Sequence, residues 1–172
     1  MVLLGILLLL VPMTSAQSQK SKDQPSVEAR LQVLEDREEI RQLLIDYGRT
    51  LDQRDFAGFA RLFAENAQYG AGTGDDIKGP AAIAKFLEET FKKNPTGVRS
   101  PNFHLFANPI IRVKGDEATA VSKGMFVVPN QANVPEIVML AAYSDTLVRA
   151  GGQWKFKRRI VHGDIPAPGP KK

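Results

Sequence analysis

Two histidines, three tyrosines and a few carboxylates beside apolar stripes are the groups in this chain that could move protons. Imidazole titrates near neutrality, so His104 and His162 are the first candidates for a general base. Asp52 follows Leu44 and Gly48 at steps of four, which places it at the margin of a helical apolar stripe. A carboxylate there needs a hydrogen-bonding partner, and Gly48 leaves room beside it. The same Asp could instead end its helix and cap the next turn. His104 shares strand parity with Phe106, Asn108, Ile110 and Arg112, while Phe103, Leu105, Ala107, Ile111 and Val113 share the other face. Pro109 is placed to slip that register. A lone strand histidine is also a common structural residue, and on the residues alone both readings stand. In the last apolar run, Trp154, Phe156, Ile160 and His162 share one parity, opposite Lys155, Lys157, Arg159 and Val161. His162 is therefore expected to face the helix-covered side or its rim. Tyr47 lies on the apolar stripe with a hydroxyl to satisfy, Tyr69 precedes a glycine-rich loop, and Tyr143 shares parity with Met139, Ala141 and Asp145.

The elements that position these groups follow from periodicity. Residues 27–53 predict one long amphipathic helix, with Ile40, Leu43, Leu44, Tyr47 and Leu51 on one stripe and Gln42, Asp46, Arg49 and Gln53 opposite. Asp55 has the type and place of an N-cap for a second helix carrying Phe56, Phe59 and Phe63. Gly79-Pro80 opens a third, with Ile83, Phe86, Leu87 and Phe91. After Pro101 the pattern turns to β-rich runs at 103–113, 117–128, 136–149 and 153–164, with Gly115-Asp116 and Gly151-Gly152 as hairpin turns. Helices first and then an antiparallel meander is an α+β order, with the helices on one face of a curved sheet.

Composition narrows the class. The chain has 172 residues, 43% hydrophobic and 24% charged, which excludes disorder, collagen and coiled coil and fits one domain. It has no cysteine, so disulfides, thiolate metal sites and a cysteine nucleophile are excluded. Two histidines cannot build a three-histidine metal site. Much of the basic excess behind the +4 net charge sits at Lys20, Lys22, Lys171 and Lys172, so it is no nucleic-acid footprint. Dinucleotide, Walker, nucleophile-elbow and zincin motifs do not occur.

Residues 2–11, VLLGILLLLV, are too short to span a bilayer and lead to the small residues Thr14 and Ala16. They read as a signal peptide over 1–16, followed by a polar linker over 17–29, a domain over 30–165 and a Pro-rich tail over 166–172. The expected protein is exported, periplasmic or secreted, with no membrane association after cleavage.

The runs Asp36-Arg37-Glu38-Glu39-Ile40 to Tyr47, Leu51-Asp52-Gln53-Arg54-Asp55-Phe56 and Leu62-Phe63-Ala64-Glu65-Asn66-Ala67 resemble the opening of SnoaL-like domains. These belong to the nuclear-transport-factor-2-like, cystatin-like α+β superfamily. Gly79 with Ile83, His104 with Asn108 and Ile110, Gly115-Asp116 with Ala118 and Ala120, and Trp154-Lys155-Phe156 continue the resemblance over about 30–165. It implies a conical half-barrel: a strongly bent antiparallel sheet around N-terminal helices, with a pocket between. The superfamily holds dehydratases, isomerases, cyclases, epoxide hydrolases and non-catalytic binders. In its scytalone and bile acid dehydratases, an Asp of the first helix pairs with a strand His, and Asp52 and His104 match those positions. Tyr47 matches a pocket tyrosine of the bile acid enzyme, and Tyr69 resembles a substrate-orienting tyrosine of the scytalone enzyme. Both enzymes carry a further His or Asp on the next strand, where this chain has the apolar Phe126-Val127-Val128-Pro129.

The expected chemistry is cofactor- and metal-free proton abstraction next to a carbonyl, ending in elimination or isomerisation. His104 would be the base, Asp52 would orient it, and Tyr47 would donate to the developing oxyanion. Tyr69, Tyr143, His162, Asn108 and Phe59 are the candidates for holding the substrate. An apolar lining of Phe59, Phe63, Phe106 and Met139 suits a small hydrophobic cyclic molecule, whether aromatic, polyketide or steroid-like. A non-catalytic binder of such a ligand, or a dimeric accessory module, are the alternatives. Val138, Leu140, Ala142 and Val148 make the outer face of their strand apolar too, so a homodimer through the sheet is expected.

Overall fold

The computed structural model describes residues 24–93 and 101–165. The expected signal peptide, most of the polar linker and the Pro-rich tail lie outside the described residues. Helix α1 (Val27–Asp52) starts at Ser26, whose Oγ accepts from the Ala29 amide at 3.1 Å. Its stripe of Ile40, Leu43, Leu44, Tyr47 and Leu51 is buried, as the spacing predicts. The short α2 (Phe56–Arg61) is capped by Asp55, which accepts from the Gly58 amide at 2.7 Å. Helix α3 (Pro80–Lys93) begins on its proline and buries Ile83, Leu87 and Phe91.

Among the described residues six strands follow or interleave: β1 (Phe63–Gly70), β2 (Ile77–Lys78), β3 (Phe103–Lys114), β4 (Glu117–Pro129), β5 (Pro135–Ala150) and β6 (Gln153–Ile165). They form one bent, unclosed sheet in the order β2-β1-β6-β5-β4-β3. The fold is α+β, with the helices held inside the curve of the sheet. Two features depart from the expectation of a simple meander. Phe63 opens a strand rather than extending α2, and β1 pairs with β6 in parallel. The apolar side of Phe63 is buried either way, so helical spacing alone could not tell the two apart.

Two irregularities decide which side chains point inward. The β3–β4 register shifts between Ala107 and Ile110, and Asn108 adopts φ 53° there. His104 and Phe106 face inward before this bulge, Ile111 and Val113 after it. The β5–β6 register shifts between Thr146 and Leu147, where Lys157 is the extra residue on β6. One added residue inverts a period of two, so every side chain beyond it changes face.

The core runs between α1 and the sheet as a chain of rings. Phe59 lies 5.1 Å from both Tyr47 and Phe63, and Phe63 lies 5.3 Å from Phe156. Each such ring contributes about 1.5–3 kcal/mol through burial. At the other end, buried Asp36 accepts from Gln32, Arg149 and the Trp154 indole, tying the start of α1 to β5 and β6.

Candidate functional site

Asp52 ends α1 where β3 begins, and its two oxygens hold that junction together. Oδ1 lies 2.6 Å from His104 Nδ1 and accepts from Asn102 Nδ2 at 2.6 Å. Oδ2 accepts from the His104 backbone amide at 2.9 Å. Arg54 extends the chain of contacts, donating to Asn102 Oδ1 at 3.2 Å. It does so from φ 59°, a conformation an arginine adopts only against a steric cost. A carboxylate at Nδ1 can only accept, so in the neutral imidazole the proton sits on Nδ1 and Nε2 carries the lone pair. The imidazole is clamped as well as tethered. It stacks on Phe126 at 4.3 Å and 21°, and Phe91 packs 6.2 Å away.

Gly48 permits this approach. A Cβ built on it would stand 2.9 Å from His104 Cβ and 3.2 Å from the His104 carbonyl oxygen. Neither atom sits on the flexible end of a side chain. Gly48→Ala is therefore expected to push β3 away from α1, outweighing the roughly 1 kcal/mol that alanine adds to a helix. Thermal unfolding should show a net loss of up to about 2 kcal/mol, and the His104 side-chain NMR signals should move.

His104 lines a cavity of about 210 Å³ between α1, α3 and the sheet. Its polar atoms come mainly from Tyr47, Tyr69 and Tyr143, which are all the tyrosines of the chain. Phe86, Leu87, Phe91, Phe126, Met139 and Val161 supply apolar wall. The Tyr47 and Tyr69 hydroxyls lie 3.0 Å apart. Burial pushes the Tyr69 phenol up to about 12 and drives Tyr47 and Tyr143 upward as well. All three are thus neutral hydrogen-bond donors at physiological pH. One imidazole base facing several neutral donors can take a proton from carbon and steady the oxyanion that results.

The structure brings together Asp52, His104, Tyr47, Tyr69 and Tyr143. Three other candidates sit elsewhere. His162 is exposed, because the Lys157 bulge turns it to the outer face. Asn108 is exposed at the β3 bulge. Phe59 is fully buried beneath Tyr47 and supports that ring from behind rather than lining the cavity, and Phe63 packs behind Phe59. Among the described residues no group of three or more His, Cys, Asp or Glu could hold a metal ion.

Sequence reasoning missed Asn102, Phe126 and above all Arg159. Arg159 is 0% exposed and donates from Nη1 to Asp145 Oδ2 at 2.9 Å. Parity put it outside, among lysines, and nothing in the sequence marks Lys157 as the bulged residue.

Residues 32–160 match the SnoaL-like domain family. An uncharacterized protein of Mycobacterium tuberculosis is 33% identical over 132 residues, covering 74% of this chain and 84% of that protein. A crystal structure of an NTF2-like protein with a cystatin-like fold from Novosphingobium aromaticivorans aligns with TM-score 0.69 at 27% identity, over 82% of this chain and 90% of that one. A second protein of that organism, provisionally named a scytalone dehydratase, aligns with TM-score 0.63 at 25% identity, over 81% and 89%. Matched from α1 to β6, this chain belongs to the SnoaL-like family of the NTF2-like, cystatin-like fold, some of whose members are dehydratases or isomerases.

Proposed function

We propose that the protein is a cofactor-independent dehydratase or isomerase acting on a small cyclic ketone or hydroxy-ketone. The observation that carries this reading is the 2.6 Å contact of Asp52 with His104 at the wall of a cavity that also presents three tyrosines. In the proposed step, His104 Nε2 takes a proton from the carbon next to the substrate carbonyl. The electron pair moves to the carbonyl oxygen, which accepts hydrogen bonds from the tyrosine hydroxyls, and Asp52 stabilises the imidazolium. The imidazolium then returns its proton, either to another carbon of the conjugated system or to a β-hydroxyl leaving as water.

Cavity size limits the substrate. A cavity of about 150 Å³ accommodates benzene. The 210 Å³ here suits one ring or two fused rings, which narrows the range considered from sequence and leaves out steroid-sized molecules. Export belongs to the same proposal and rests on the apolar run 2–11 with Thr14 and Ala16.

Two measurements test the reading. In D2O, the protein should accelerate loss of the α-proton NMR signals of cyclohexanone or 2-tetralone. The nitrogen-15 spectrum should show neutral His104 as the Nδ1–H tautomer. An Nε2–H tautomer, or exchange no faster than buffer alone with both ketones, would return the protein to the class of ligand binders.

A further inference from the structure

The Arg159 guanidinium lies under the cavity, not in it. Its Cζ stands 4.0 Å from the ring centroid of Tyr47 and 4.3 Å from that of Tyr143, with Phe156 and Phe106 at 4.6 and 5.3 Å. Nη1 meets Asp145, while buried Nε and Nη2 have no hydrogen-bond partner among the described residues. A full positive charge is therefore held against two of the cavity's phenol rings, in a dry setting where fields are poorly screened. A structural ion pair would instead be expected to satisfy its donors. On all three tyrosines the pull of Arg159 toward ionisation exceeds the opposite push of Asp145.

We infer that Arg159 is a positioning residue that makes the tyrosine wall a receptor for a ring-borne oxygen anion, an enolate or phenolate, acting through the faces of Tyr47 and Tyr143. The inference rests on the proposed reaction in naming the enolate; the phenolate follows from the geometry alone. The charged and titratable groups facing this wall are Tyr47 from α1, Tyr69 from β1, His104 from β3, Tyr143 and Asp145 from β5, and Arg159 from β6. Polarising a phenol hydroxyl makes it a stronger donor, and the gain is largest when the acceptor becomes charged.

The test uses 4-nitrophenol, whose phenolate is read directly by absorbance, bound to the full chain across a pH series. Two variants change the field behind the rings in opposite senses. Asp145→Leu with Arg159→Met removes both charges at similar volume. Asp145→Asn keeps an acceptor for Nη1 and leaves the guanidinium uncompensated. Relative to wild type, the bound phenolate-to-phenol ratio should fall about tenfold in the first and rise in the second. Circular dichroism confirms folding, and if the double variant does not fold, the Asp145→Asn comparison decides. An equal ratio in all folded forms, or no binding to wild type, would overturn the inference. His104→Gln separates it from the proposed reaction. If that change alone abolishes the preference for phenolate, His104 holds the proton and Arg159 has no such role. If the preference survives in that variant while the wild type shows no ketone exchange, the inference stands and the proposed reaction falls.

Discussion

Replacing His104 by glutamine is expected to slow α-proton exchange of the test ketones by about 10²–10⁴-fold, the usual contribution of a general base. Asp52→Asn should cost a similar factor, for a reason the geometry makes explicit. Asp52 Oδ1 receives Asn102 Nδ2 and His104 Nδ1, and Oδ2 receives the His104 amide. Every one of these partners can only donate or, for Nδ1, must donate if Nε2 is to act as base. An asparagine has one acceptor oxygen and one NH2 group. Turned one way, its NH2 opposes the backbone amide; turned the other, it opposes Asn102 and makes Nδ1 an acceptor. The second arrangement stabilises the Nε2–H tautomer, which has no lone pair for substrate. Exchange rates and the nitrogen-15 tautomer signature should therefore change together in Asp52→Asn. A variant that keeps both the wild-type rate and the wild-type tautomer would show the pair to be structural.

The largest expected loss of stability lies at the other end of the site. Arg159 and Asp145 are both fully buried, at 0% side-chain exposure, and each is the other's ionic partner. Asp145→Ala should destabilise by about 3–5 kcal/mol, because it takes from the buried Arg159 guanidinium its hydrogen-bond acceptor, which a protonated carboxyl still provides, and opens a cavity among the rings. That is a large share of the 5–15 kcal/mol typical of a whole domain. The paired replacement by Leu and Met should recover most of it, since desolvation of two ions offsets much of their attraction. Urea unfolding of the two variants checks both statements. Burial also raises the Asp145 carboxyl from 3.8 to about 6, against the lowering effect of Arg159. Between these values the folded chain holds a proton that the unfolded chain has released. Stability from this group is thus greatest below about pH 4 and declines as pH rises through about 6. Subtracting the Asp145→Asn profile from wild type isolates the effect, and a flat difference over that window would show Asp145 to be ionised throughout.

Much of this architecture could be read before any coordinates. The buried stripe of α1, the Asp55 cap, the proline start of α3 and the turns at Gly115 and Gly151 all follow from local rules. Helical spacing, capping chemistry and positive φ depend on neighbours within a few residues. The margin position of Asp52 and the inward parity of Tyr143 were legible for the same reason. The resemblance to SnoaL-like domains brought Asp52 and His104 together as candidates, and spacing alone had left each open to a structural role.

Only the tertiary structure decided which faces the distal strand residues take. Alternation is a parity, and one extra residue reverses it. The bulge at Lys157 moves Arg159 and Val161 to the inner face of the sheet and His162 to the outer one. The bulge at Asn108 does the same on β3. A bulge of this kind depends on how two strands twist against each other, which neither strand's own sequence records. The clamp on His104 is non-local as well: Asn102, Phe126 and Phe91 reach it from three separate segments. The sequence by itself determined the three helices, the four long strands and the turns at Gly115 and Gly151, and through its family resemblance it singled out Asp52 and His104 as candidates. The fold decided which cation lies behind the tyrosines, because that depends on strand register and not on composition.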